Sequence, residues 1–166
     1  MIKKLCFTLA LLGVCVLTAQ AQEYKSALGA RFGSPPISIS FKQFISDPGA
    51  IEVFAGFRTY SGLGYGWFNV GGLYQHHFPI TSVEGLKWYV GGGASVYFWN
   101  YDFDLPGNED RKLNIGLLGN LGLDYKFATA PINLSVDWMP LILLNSYYNS
   151  GFGAGYGGLS VRYTLN

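Results

Sequence analysis

The stretch Leu113–Phe127 reads LNIGLLGNLGLDYKF. Ile115, Leu117, Leu121, Leu123, Tyr125 and Phe127 are apolar, and Asn114, Asn120, Asp124 and Lys126 fall between them. A two-residue period marks a strand with one greasy face and one polar face. The run is longer than most strands of soluble proteins and long enough to cross a hydrocarbon layer when tilted. It reads as one stave of a membrane-spanning barrel.

Composition agrees. The 166 residues suffice for one domain. Only 13% are charged and 17% are aromatic, whereas about a quarter of an ordinary soluble domain is charged. Something other than water is expected to cover much of the surface, and lipid would do so. The 23 glycines lie in strand-like runs without a Gly-X-Y period, which excludes collagen and disorder. Loss of Lys3 and Lys4 with a leader turns the net charge of +1 into about −1, and no basic stripe is left to attract nucleic acid. Both cysteines, Cys6 and Cys15, precede position 20, so neither a disulfide nor a thiolate metal site is expected in the mature chain.

Residues 1–21 have the form of a cleaved signal peptide: Lys3 and Lys4, the apolar run Leu5–Leu17, then Ala19-Gln20-Ala21 as the small-x-small cleavage pattern. The apolar run is too short to span about 30 Å of hydrocarbon comfortably as a helix. Val14 before Cys15 is branched where lipoprotein processing wants a small residue. The expected domain is therefore a barrel over residues 22–166.

Seven more alternating runs follow the same rule: Tyr24–Phe32, Ile37–Ile45, Ile51–Tyr60, Gly66–Phe78, Lys87–Trp99, Ile132–Trp138 and Ala154–Leu165. Turn chemistry separates several of them, as in Ser46-Asp47-Pro48-Gly49, where Pro48 presets φ and Gly49 permits positive φ. Eight strands make an even count, as bacterial single-chain membrane barrels require. The connections after odd-numbered strands, at 33–36, 61–65, 100–112 and 145–153, include the two longest polar segments, after the fifth and seventh strands, and are expected outside, with both termini periplasmic. Small inward residues, Gly91, Gly93 and Ser95, suit a narrow barrel. Outward aromatics near strand ends, among them Tyr24, Phe78, Trp88, Phe98, Trp138 and Tyr163, suit interfacial girdles.

The same alternation would describe a soluble barrel with a greasy pocket, but the apolar face holds too many aromatics for one narrow lumen. On the membrane reading, Lys25, Arg31, Lys42, Arg58, Lys126 and Arg162 point inward together with Glu52, Asp124 and Asp137. Buried ions must pair, so this set predicts a lumen plugged by ion pairs; a narrow pore lined by the basic excess is the alternative. No catalytic, cofactor or metal constellation stands out. His76 and His77 are adjacent on a strand, point to opposite faces and cannot chelate one metal together. A Ser-His-acid group could be drawn from His77 and Ser95, and Pro140 beside Met139 could open a strand to lipid, so an enzyme acting on lipid A remains a rival reading. The acidic loop 102–110 lacks calcium-loop spacing.

The last strand, Gly158-Leu159-Ser160-Val161-Arg162-Tyr163-Thr164-Leu165, resembles the assembly signal of compact outer-membrane β-barrel proteins, the OmpX-like and opacity-protein-like group. Gly158, Val161, Tyr163 and Leu165 carry the likeness, which extends over the mature length. The resemblance implies an all-β, eight-stranded antiparallel up-and-down transmembrane barrel in a Gram-negative outer membrane. It also implies contact with outer-membrane lipid and lipopolysaccharide, and with the barrel-assembly machinery during biogenesis. The expected state is a monomer with a structural or surface-interaction role and no enzymatic activity. Members of that group differ in activity, so fold does not choose among roles.

Overall fold

The computed structural model describes residues 24–33, 37–60, 65–101, 113–144 and 152–165. The expected signal peptide and the four expected outer connections lie wholly or largely outside the described residues. Eight strands, β1 (Ser26–Gly33), β2 (Ile37–Phe44), β3 (Gly49–Tyr60), β4 (Tyr65–Pro79), β5 (Leu86–Tyr101), β6 (Leu113–Lys126), β7 (Ile132–Leu143) and β8 (Phe152–Leu165), pair in chain order. Every pair is antiparallel, and β1 closes on β8 from Ser26 opposite Leu165 to Gly33 opposite Gly158. Closure leaves no ladder edge unpaired.

The ladder fixes the tilt. A circuit that starts at Leu143 passes Gly116, Ser95, Gly71, Phe54, Ser40, Gly29 and Arg162 and returns to β7 at Asn133. The return is ten residues along from the start, which corresponds to strands tilted by about 40° to the axis. One end of the barrel carries Tyr24, Leu165 and the turns after β2, β4 and β6, and is called the turn end here.

Alternation decides which face each residue takes. Leu28, Ile39, Val53, Val70, Val90, Leu117, Leu121, Val136, Leu159 and Val161 are exposed on the outside. Arg31, Lys42, Glu52, Gln75 and Arg162 are buried inside, each at 1% exposure or less. The distribution is the reverse of a soluble barrel. Outward aromatics pair across β4 and β5 at two heights, Phe68 with Phe98 and Phe78 stacked on Trp88 at 4.2 Å. Phe68 and Phe78 are ten residues apart on β4, which at a tilt of about 40° separates the two pairs by about 25 Å.

Several expectations are corrected. β7 does not stop at Trp138 but runs through Pro140 to Leu143, with an irregular register between Met139 and Leu141. The bulge accommodates the missing donor of Pro140, and Gly119 on β6 leaves room for the ring, since a Cβ there would lie 2.9 Å from Pro140 Cγ. Gly49 does not supply positive φ to the first short turn; it already belongs to β3, and among the described residues positive φ falls at Gly33 (φ 139°), the last residue of β1, and at Gly85 (φ 79°), in the turn after β4. Gly91 and Gly93 do more than leave room inside: a Cβ on either would run into the backbone of β4, at Tyr74 and Gly72.

Candidate functional site: the lumen

The lumen nearest the turn end is a layer of buried ions held by strands far apart in sequence. Glu52 of β3 accepts from Arg162 of β8 and from Gln75 Nε2 of β4 at 2.7 Å. Arg162 also donates to Ser40 Oγ at 2.7 Å and Ser135 Oγ at 2.7 Å, so its planar fork joins four strands. Asp124 of β6 accepts from Lys42 Nζ at 3.1 Å, Tyr24 Oη at 2.9 Å and Asn133 Nδ2. His77 Nε2 lies 3.4 Å from the same carboxylate, and its ring packs between Phe44 and Tyr89. Asp137 of β7 takes both terminal nitrogens of Arg31 and the Tyr89 hydroxyl, the latter at 2.7 Å. Each buried cation thus meets a carboxylate, the condition under which burying either is tolerable.

Deeper in, Phe54, Leu73, Tyr97, Leu118, Met139 and Leu141 form a buried apolar cluster, with Trp67, Trp99 and Leu143 packed against it. Glycines opposite large side chains allow this filling. The Phe54 ring occupies the space a Cβ on Gly71 would need, Tyr89 does so at Gly122, and the Arg31 guanidinium does so at Gly158. At the turn end a cavity of about 470 Å³ is lined by Tyr24, Phe44, Ile45, Lys87, Asp124 and Lys126, among others.

Of the nine inward charges read from the sequence, Arg31, Lys42, Glu52, Asp124, Asp137 and Arg162 meet in the buried layer. Lys25 does not: it precedes β1 and is exposed at the mouth of the cavity. Lys126 is half-buried at the same mouth, where its ammonium donates to Phe127 O at 2.6 Å and Ala130 O at 2.8 Å of the following turn. Arg58 is half-buried toward the far end of β3. Tyr24, assigned to the outer face, is instead buried and donates to Asp124. Of the assembly-signal residues, Val161, Tyr163 and Leu165 point outward and Gly158 lies inside beneath Arg31. His76 and His77 take opposite faces, with His76 Nδ1 3.4 Å from the outward Tyr74 hydroxyl. Ser95 and His77 do not meet: Tyr89 is the register partner of His77, and Ser95 lies six residues further along β5, about 20 Å away.

The contribution of Tyr89 and the apolar cluster was not read from the sequence. Their positions share the parity of the inward charges, and that parity was the available signal.

Fold and lumen together define a closed eight-stranded antiparallel barrel, apolar outside and ion-paired within. Among solved structures, the chain is similar to the N-terminal β-barrel domain of Pseudomonas aeruginosa OprF, with a TM-score of 0.63 at 17% identity, covering 87% of this chain and 100% of that one. It is also similar to the outer membrane enzyme PagL, with a TM-score of 0.46 at 14% identity, covering 84% and 98%. The first likeness shows the fold. No family model and no curated protein sequence matches the chain.

Proposed function

We propose that this chain is an integral protein of a Gram-negative outer membrane, with a structural or surface-interaction role. The observation that carries the reading is the exterior: an apolar belt on a closed barrel, bounded on β4 and β5 by two aromatic pairs about 25 Å apart, the height of the apolar band of such barrels. A water-facing exterior of this kind would be an exposed apolar surface far larger than soluble monomers carry. Lipid and lipopolysaccharide are its expected neighbours, the barrel-assembly machinery its partner during biogenesis, and the monomer its working state. No enzymatic step is assigned to it.

The test is fractionation with gel migration before and after boiling. Recovery in outer membranes with a heat-dependent shift is expected; release as a soluble periplasmic protein would overturn the reading. Lipid A from cells with and without the protein should have the same mass, and a gained or lost acyl chain would make it an enzyme instead.

A further inference from the structure

One row of the ladder carries buried polar atoms that lack partners. From β8 through β1, β2 and β3 to β4, the inward positions Ser160, Arg31, Ser38, Gly56 and Asn69 stand opposite one another in register. All five are buried. Among the described residues, none supplies a hydrogen-bond partner to Ser160 Oγ, Arg31 Nε, Ser38 Oγ or either side-chain polar atom of Asn69. Gly56 contributes no side chain between Ser38 and Asn69. Because the strands tilt, each step along this row rises by about 3 Å, so the row climbs the inner wall away from the turn end. It does so on the β8–β4 side, where Phe54 of β3 and Leu73 of β4 flank it on the turn-end side of Gly56 and Asn69, whereas Tyr97, Leu118, Met139 and Leu141, the rest of the apolar cluster, belong to β5, β6 and β7.

Further unpartnered atoms lie on β4, β5 and β6, outside this row. Ser95 Oγ on β5 is unpartnered in the same sense, and so are Asn120 Nδ2, Gln75 Oε1 and the ring nitrogens of His77, beyond the 3.4 Å approach of His77 to Asp124. Asp124 in turn lines the cavity at the turn end. The row itself reaches the cavity lining at Asp124 through Ser135, the register partner of Ser160.

Buried hydroxyls and amides need partners, and the charge balance says which kind. Arg31, Lys42 and Arg162 are matched by Glu52, Asp124 and Asp137, so a further ion would stand uncompensated. The unpaired set mixes donors, Arg31 Nε and Asn120 Nδ2, with acceptors, Gln75 Oε1 and Asn69 Oδ1. A neutral molecule that both donates and accepts fits such a set, and water is the smallest. We propose that Asn69, Ser38, Arg31 and Ser160 line a single-file water thread that passes beside the apolar cluster, so that the barrel conducts water while excluding hydrated ions.

The thread rests on the membrane reading only for its transport consequence. In proteoliposomes, stopped-flow osmotic shrinkage should be faster than in protein-free vesicles, while planar bilayers should show no ionic steps. Ser38→Val with Asn69→Leu should return shrinkage to the protein-free rate; Ser38→Val alone serves if the pair fails the heat-dependent migration check. A high-resolution crystal structure of the wild type in detergent should place waters on Ser38 Oγ, Asn69 and Arg31 Nε. Shrinkage at the protein-free rate, unchanged shrinkage in the variants, ionic steps in the wild type, or a dry row in the crystal would each overturn the proposal. Failure of the protein to enter vesicles would sink the membrane reading instead and leave the crystallographic waters to decide the thread.

Discussion

Removal of Glu52 should be among the most damaging single changes in the lumen. In Glu52→Leu the carboxylate that faces Arg162 and Gln75 is lost, and Arg162 keeps Ser40, Ser135 and a long contact to Asn133 as its partners, all neutral. At a charge separation of about 4 Å and an effective dielectric of about 20, the lost attraction is about 4 kcal/mol. That agrees with the cost of about 3–5 kcal/mol for leaving one member of a buried pair alone. The hydroxyls of Ser40 and Ser135 soften the loss but cannot cancel a full charge. In Glu52→Leu/Arg162→Met the unpaired ion is gone as well, so the double variant should recover most of the difference. Reversible urea unfolding in lipid vesicles, followed by tryptophan fluorescence, reads both quantities and yields the coupling energy. A single-variant cost below about 1 kcal/mol, where a solvent-exposed pair would fall, would refute the claim that this pair is buried away from bulk solvent. So would a double variant whose cost is the sum of the two singles.

Other substitutions test other parts of the barrel by the same unfolding assay. Gly71→Val would push a side chain into the Phe54 ring, whose Cε1 is 2.8 Å from the new Cβ; a loss of about 1–3 kcal/mol is expected, relieved when Phe54→Leu is added. Tyr89→Phe removes the hydroxyl 2.7 Å from Asp137 and should cost about 1.5–3 kcal/mol, because the acceptor is charged. Leu121→Arg, outward and midway along β6, should cost about 2–4 kcal/mol, against about 0–1 for Ile132→Arg at the start of β7. Equal costs at the two positions would argue against a bilayer around the belt.

The outer face was legible because it needs only parity and greasiness: Ile115, Leu117, Leu121 and Leu123 announce it in one short run, and their exposure follows. The inner face was half legible. Parity marks Arg31, Lys42 and Glu52 as inward, but which ion meets which depends on the shear of the closed ladder, a property of all eight strands at once. Hence the pairing of Arg162 with Glu52, 110 residues apart, had no local sign. Apolar inward residues were passed over because Phe54, Leu118 and Leu141 sit beside outward apolar neighbours and blur the alternation. Tyr24 was misplaced for a different reason: it lies ahead of β1, where strand parity no longer governs, and the chain turns its hydroxyl into the mouth toward Asp124. Pro140 suggested an end to β7 because a proline costs one ladder bond, yet one bulge beside Gly119 absorbs that loss and the strand continues.

The seam between β1 and β8 sets Ser26 opposite Leu165, in the same pairing that joins every other pair of neighbours. The barrel consequently has no privileged first stave. A short peptide bridging the two ends, with a cut in the connection after β3 or β5, would give a rearranged gene order that encodes the same ring of neighbours. Such a molecule would start its synthesis with a different hairpin and still present the same wall to its surroundings, which separates the order in which staves are made from the shape they enclose.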